Sequence, residues 1–416
     1  MASSEEFEVI PTTCVYGGDA LARLPDGRAV FIPYALPEEL LRIKLVEEKE
    51  RYARGEISEI IRPSPDRIKP RCPHFQDCGG CHYQHISYQE QLRIKESILV
   101  DQLRRVGKID SPSVKPIRPS PSPWNYRNHV QFHIAEDGRP GFLKNRSSEV
   151  VPIQECHLPE ESLNRIWPSF SLEYIPGLDR ISLRSGEEGQ DTLILLESQG
   201  QEPFEFSVDL PLSAVLQGPG GEIILSGDDF TIIPILDFPF VVSAGSFFQT
   251  NTGVAESLVA YLLEILPLEE DTVCLDVYCG AGLFSAFLAS RVKKVIGIES
   301  SPSACEDYLY NLAEFENVEL YDLPAEDVLP VLDNSPDIIL LDPPRAGLSR
   351  SVLDSVVNLR PDLVAYISCD PATLARDLAR FSKKGFSLVE STPFDMFPQT
   401  YHIESLNLLR KTGAGG

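Results

Sequence analysis

Residues 7–62 alternate apolar and polar positions in short runs separated by turn signals: Tyr16-Gly17-Gly18-Asp19, Pro25-Asp26-Gly27 and Pro37-Glu38-Glu39, with a last run from Arg54 to Ile61. A period of two sends successive side chains to opposite faces of a strand, so this spacing predicts a small all-β barrel or sandwich. A linker rich in Pro and charge, Arg62 to Pro70, closes it. Ser87-Tyr88-Gln89-Glu90 has the form of a capping box, and Tyr88, Leu92, Leu99, Leu103 and Val106 recur at helical spacing. An amphipathic helix is predicted there, with Gly107 as its C-cap. Residues 111–123 hold five prolines and read as a connector. From 124 to about 248 the pattern is mainly strands and turns. Beyond Phe247-Phe248, apolar runs at 272–277, 295–298, 337–341, 363–367 and 386–389 are separated by helical segments. Such a β-α-β rhythm predicts a doubly wound, mainly parallel sheet.

Composition narrows the class. A chain of 416 residues that is 43% hydrophobic can bury several cores, which excludes a disordered or fibrous protein. Nine cysteines are too few for a disulfide scaffold. The start MASSEEFEVI lacks the features of a signal peptide, and no run reaches the roughly 18 apolar residues of a membrane span. A cytoplasmic, monomeric, multidomain protein is expected. The net charge of -25 argues at first against a polyanionic partner, but residues 51–148 hold 17 basic and 10 acidic side chains. No Lys or Arg occurs from 185 to 290. A polyanion would therefore lie along the basic stretch, on residues such as Arg67, Lys69, Arg71, Arg93, Lys95, Arg104, Arg105 and Arg127, with the acidic stretch facing away.

Candidate chemistry clusters in three places. In Val273-Cys274-Leu275-Asp276-Val277-Tyr278-Cys279-Gly280-Ala281-Gly282, an apolar strand runs into a glycine turn where the backbone can approach a ligand closely. The next strand ends at Glu299, whose carboxylate suits two ribose hydroxyls, and a later one at Asp342-Pro343-Pro344. With no third glycine for a pyrophosphate, S-adenosylmethionine fits better than NAD. Ser368-Cys369-Asp370-Pro371 follows another apolar run, placing Cys369 at the C-terminal edge of the sheet as a nucleophile, against the commoner fate of a buried structural thiol. Glu404, half-buried at the start of the last strand, is a candidate base. His402 reads equally as a packed imidazole. Cys72, Cys78 and Cys81, spaced C-x5-C-x2-C, with Cys156 next in the chain, suit a [4Fe-4S] cluster or a tetrahedral zinc. Six of the seven histidines, His74, His82, His85, His129, His133 and His157, lie in the same stretch and keep zinc open.

The runs DVYCGAGLFS, LDPPRAGL, ISCDPATLARDL and DMFPQTYHIESLNLL closely resemble the S-adenosylmethionine-dependent RNA uracil-C5 methyltransferases, which make 5-methyluridine in transfer and ribosomal RNA. Ser246-Phe247-Phe248-Gln249-Thr250-Asn251 resembles that family's entry into the catalytic domain, and Tyr16 to Ile61 its N-terminal TRAM domain, an OB-like barrel that binds RNA. The resemblance implies a multidomain α/β protein: a TRAM barrel at 1–62, a central β-rich iron-sulfur domain at 63–248 and a Rossmann-like class I methyltransferase domain at 249–416. It implies Cys369 as nucleophile and Glu404 as proton acceptor. It also implies Gln249, Tyr278, Gly280, Glu299 and Asp342 as contacts to cofactor or target base. For Cys72, Cys78, Cys81 and Cys156 it points to [4Fe-4S]. Leu283 and Pro324 depart from the family's usual cofactor contacts. Ribosomal RNA is favoured over transfer RNA as substrate. Two rivals stand beside this expectation: an amino-group methyltransferase, suggested by Asp342-Pro343-Pro344, and an RNA-binding module with a decayed catalytic domain.

Overall fold

The computed structural model describes residues 6–170, 177–186, 191–200, 212–333 and 335–412. At the N-terminus six strands between Glu6 and Arg62 form one sheet around an apolar cluster that includes Val30, Ile32, Leu41, Ile43 and Ala53. Its longest strands, Leu40–Glu48 and Tyr52–Arg62, pair antiparallel with three register shifts. Bulges of this kind let a small sheet bend around its own core.

The predicted helix spans Tyr88–Arg105, and the Ser87 hydroxyl accepts from the Glu90 amide, satisfying one of the free donors of the first turn. Its C-cap is Val106, and the left-handed residue is Lys108 rather than Gly107. Gly107 is needed for another reason: a Cβ there would lie 2.5 Å from the Leu103 carbonyl. The helix buries two sets of side chains against different partners. Ile94 and Ile98 join the barrel core, whereas Leu99 and Leu103 pack with Leu275, Val364 and Leu378 of the C-terminal sheet and its helices. At about 1.5–3 kcal/mol per buried aliphatic side chain, it bonds barrel to sheet.

Between them lies a seven-stranded sheet, antiparallel except where Thr192–Ser198 runs parallel to Ser213–Gly218. A hairpin, Phe230–Ile235 with Phe238–Ser243, leaves it and inserts Ile233, Ile235, Phe240 and Val242 into the C-terminal core.

The C-terminal sheet has seven strands in the order Val318–Asp322, Lys294–Glu299, Val273–Val277, Ile338–Leu341, Leu363–Ser368, Glu404–Lys411, Phe386–Phe394. The first five are parallel and Glu404–Lys411 is antiparallel to both neighbours. The chain works outward from Val273–Val277, then returns to pair Ile338–Leu341 on its other side. That reversal opens a crevice at the carboxyl ends of the two strands, where open α/β sheets bind ligands. Val318–Asp322, absent from the apolar pattern, is an edge strand with no fully buried residue, so it carries no continuous apolar run.

Candidate active site

The turn after Val273–Val277 is tightly wound: Tyr278 (φ 66°), Gly280 (φ 54°) and Gly282 (φ 91°) are all left-handed. Gly282 is obligatory, since a Cβ would come within 2.4 Å of Leu312 as well as being strained. Gly280 faces open space, and its amide donates to Glu299 Oε2 at 3.0 Å. Glu299 Oε1 accepts from the amides of Ser300 and Ser301 at 2.7 and 2.8 Å. The carboxylate is thus oriented by backbone while keeping lone pairs for a ligand. Beneath the turn Asp276 is fully buried; Oδ2 takes the Ser285 hydroxyl at 2.6 Å, and Oδ1 has no protein partner. Burial pushes its carboxyl up to about 7. An unpartnered buried acceptor beside open space at Gly280 fits a polar ligand with hydrogen-bond donors. Leu283, by contrast, is a buried core residue opening the helix Leu283–Ala289, and Pro324 caps the short helix Ala325–Val328.

Cys369 directly follows Leu363–Ser368 and is half-buried. Its thiol is pushed up to about 12 by burial and by the negative charges of Glu404, Asp342 and Asp370, with Arg345 opposing. Glu404 opens its strand and is buried rather than half-buried. Burial and the neighbouring Asp342 hold its carboxyl well above the usual range, and Arg345 again opposes. Asp342, which ends Ile338–Leu341, is raised by burial and by Asp276. Cys369, Glu404 and Asp342, distant in sequence, therefore lie within electrostatic reach of one another at the sheet's carboxyl edge, where Ser368 pairs with Ser405. Arg345, which the sequence pattern did not single out although it stands inside the run Leu341-Asp342-Pro343-Pro344-Arg345, is the cation whose charge reaches both Cys369 and Glu404.

The loop leading into Glu404 is held from outside its own domain. Lys95 and Asp395, both fully buried, pair at 2.5 Å, and Lys95 Nζ also donates to the Phe397 carbonyl at 3.0 Å. Gln91 and Gln399 exchange two bonds, and the His82 and Tyr83 amides both donate to the Gln399 carbonyl. Gln399 is left-handed (φ 68°), a conformation that such surrounding bonds hold in place. Removing either partner of the Lys95–Asp395 pair would strand a buried charge at a cost of about 3–5 kcal/mol.

Cys72, Cys78, Cys81 and Cys156 line a single cavity of about 390 Å³. The cavity continues past Arg127, Phe247, Gln249 and Thr250 to Arg345, Thr400 and His402. Burial raises all four thiols, Cys156 to about 12. Among the described residues no group of three or more His, Cys, Asp or Glu is gathered as a single metal ion would require. His74, His82 and His157 line the same cavity. His74 Nε2 accepts from the Gln154 amide, whereas His82 Nδ1 and both ring nitrogens of the buried His85 have no partner among the described residues, and burial holds these two rings down to about 4 and about 3.

Family models match at both ends of the chain: a TRAM domain over residues 6–58 and a tRNA (Uracil-5-)-methyltransferase over residues 235–412. An uncharacterized RNA methyltransferase of Halalkalibacterium halodurans is 34% identical, the match covering 98% of this chain and 97% of that protein. One from Aquifex aeolicus is also 34% identical, over 95% and 96% respectively. The chain belongs to the tRNA (uracil-5-)-methyltransferase family. It is thus an RNA methyltransferase with an N-terminal TRAM domain and a methyltransferase fold at its C-terminus. The fold is also that of the Pyrococcus abyssi tRNA (uracil-54, C5)-methyltransferase, solved with S-adenosyl-L-homocysteine (TM-score 0.74, 23% identity, 97% of this chain and 100% of that one).

The surface of this RNA methyltransferase corrects part of the expectation from charge. Arg67 is committed to the buried Glu39, at 2.5 Å. Lys95 is fully buried, and Arg127 turns inward over Tyr126 and Phe397 into the cysteine cavity. Lys69, Arg71, Arg93, Arg104 and Arg105 remain exposed. Of the acidic stretch, Asp276 is an interior residue and no part of a solvated face. Among the described residues no helix is long and apolar enough to cross a membrane.

Proposed function

We propose that this methyltransferase transfers a methyl group from S-adenosylmethionine to C5 of a uridine in RNA, through a transient bond between Cys369 and C6. The observation that carries this reading is a thiol and a buried carboxyl, Cys369 and Glu404, on adjoining strand ends within electrostatic reach of each other and of Arg345. An amino-group methyltransferase has no use for that thiol. S-adenosylmethionine, held against Gly280 and Glu299 with Asp276 and Asp342 beneath, supplies an electrophilic methyl group when bound. Uracil C5 is too weak a nucleophile to take it unaided. Addition of the Cys369 thiolate to C6 breaks the 5,6 double bond and makes C5 electron-rich. After methylation Glu404 takes the C5 proton, the double bond re-forms, and Sγ leaves C6. Gln249, which lines the same cavity as Arg345, would meet the base edge, and the uridine must leave its stack to enter.

RNA carrying 5-fluorouridine at the target tests this directly. Fluorine cannot be removed as a proton, so a band stable to denaturing gel electrophoresis is expected with S-adenosylmethionine and none with Cys369→Ala; a decayed RNA-binding module gives no band with the native chain. Ribosomal RNA is proposed ahead of transfer RNA as substrate, on the TRAM barrel together with the cysteine motif, and mapping 5-methyluridine in both RNAs, with and without the gene, tests it.

The four cysteines are assigned to a [4Fe-4S] cluster. All four line one cavity, and four thiolates are the donor set that such a cluster takes. The family's methyl transfer needs no electrons, so a structural role is proposed. Anaerobic reconstitution is expected to yield about four iron and four sulfide per chain with charge-transfer absorption. Cys81→Ser should lose both, whereas about one zinc and no colour would overturn the assignment.

RNA is placed along Lys69, Arg71, Arg93, Arg104 and Arg105. Arg71 lies over the half-buried Trp124 ring, 5.5 Å from its centroid. The other tryptophan, Trp167, is buried. RNA should therefore quench the Trp124 fluorescence of a Trp167→Phe variant. Neutralising Arg71 and Lys69 together should lower the slope of log affinity against log salt by about 0.7–0.9 for each phosphate that is no longer neutralised. An unchanged slope would place the RNA elsewhere.

A further inference from the structure

The N-terminal barrel touches the neighbours of the proposed catalytic pair. Its turn Val15–Asp19, closed by the bonds Val15 N to Asp19 O (2.9 Å) and Gly18 N to Val15 O (3.2 Å), sits against both loops that carry the proposed catalytic pair. Tyr16 is half-buried, and its hydroxyl donates to Asp370 Oδ2 at 2.9 Å, across 354 positions of sequence. Asp370 adjoins Cys369. Its other oxygen, Oδ1, accepts the amides of Ala372 and Thr373 at 2.9 Å each and so caps the helix Pro371–Lys383. On its second side the Tyr16 ring stands edge-on to Tyr401, centroids 5.5 Å apart, three residues before Glu404. The approach is close enough that a Cβ on Gly18 would lie 3.3 Å from the Tyr401 ring and 3.4 Å from His82 Cβ.

We propose that Tyr16 is a positioning residue for Cys369: its hydroxyl holds the Asp370 carboxylate in the cap and draws that negative charge away from the thiol, making the barrel a structural part of the active site as well as an RNA-binding module. The proposal rests on Cys369 being the nucleophile. The groups facing the thiol are Glu404 from the last strand, Asp342 and Arg345 from the loop after Ile338–Leu341, and Asp370 in its own loop. Of these, Asp370 is the one that Tyr16 contacts. Tyr16 remains a donor at working pH, because burial and Asp370 both raise its phenol. Without the hydroxyl, Oδ2 loses its donor and the negative potential at Sγ deepens, which favours the neutral thiol.

Tyr16→Phe in the full-length protein removes the hydroxyl and keeps the ring against Tyr401. The first readout is the pH dependence of Cys369 alkylation by iodoacetamide, followed on the Cys369 peptide by mass spectrometry. The midpoint should move upward by about half to one unit, slowing alkylation about threefold to tenfold at a fixed pH below it. The second is turnover: kcat should fall by a similar factor while KM for RNA stays within about twofold. Asp370→Asn keeps a capping residue and removes the charge. In that background Tyr16→Phe should change neither readout further. An unchanged alkylation profile in Tyr16→Phe overturns the proposal, and if KM for RNA alone rises, Tyr16 is an RNA contact instead. Alkylation does not depend on methyl transfer, so failure of the parent reading, seen as activity retained by Cys369→Ala, is a separate result.

Discussion

Cys369→Ala is expected to lower methyl transfer to uridine by on the order of 10⁴-fold or more, with RNA and S-adenosylmethionine still bound. The size follows from what the thiolate does. Without a bond at C6, C5 keeps its share of the 5,6 double bond and has no electron pair to offer a methyl group. Folding should be nearly unaffected, because the side chain is half-buried at a strand end and its loss costs about 1 kcal/mol or less. Incorporation of labelled methyl into RNA, measured beside a melting curve and an RNA-binding isotherm, checks all three expectations. Activity retained by the alanine variant would sink the covalent reading and favour amino-group transfer at Asp342-Pro343-Pro344. The native enzyme should also show a pH signature. With the thiol raised to about 12, the thiolate fraction of the free enzyme grows about tenfold per pH unit below that point. The rate of Cys369 alkylation should rise with pH across the neutral range.

Glu404→Gln is expected to uncouple release from transfer. The amide is nearly isosteric with the carboxyl and brings no charge into a buried site, so the fold should be unchanged. Addition of Cys369 and methyl transfer should proceed, but an amide cannot take the C5 proton. Turnover should drop by about 10²–10⁴-fold, the usual contribution of a positioned base. Ordinary RNA, without fluorouridine, should then remain attached to the protein and carry the labelled methyl on a denaturing gel. Normal turnover by this variant would rule out Glu404 as the proton acceptor.

Much of this site was legible along the chain because its chemistry is local. The capping box at Ser87, the glycine turn at 278–282 and the placement of Glu299, Asp342 and Cys369 at strand ends each depend on a few consecutive residues. The same holds for the parallel strands, whose buried apolar runs leave an unambiguous pattern. Val318–Asp322 escaped because an edge strand has no such run. Lys95 looked like any other basic residue of a helix, yet it lies on the face of helix Tyr88–Arg105 that packs between the barrel and the C-terminal sheet, where it meets Asp395 in the interior. Arg67 and Arg127 were misplaced for the same reason: charge counts report how many cations a segment has, and only packing says which way they point.

The sequence by itself determined most of the elements, the fold class and the family, and it nominated the candidate reactive groups, since propensity, periodicity and short motifs act over a few residues. Only the tertiary structure decided how those groups influence one another. It brought Cys369, Glu404, Asp342 and Arg345 within electrostatic reach of one another, set four cysteines along one cavity, and brought Tyr16 onto Asp370. Contacts between residues hundreds of positions apart have no signature in local pattern, and the electrostatic state of a thiol or carboxyl depends on burial and neighbours that come into being only when the domains pack.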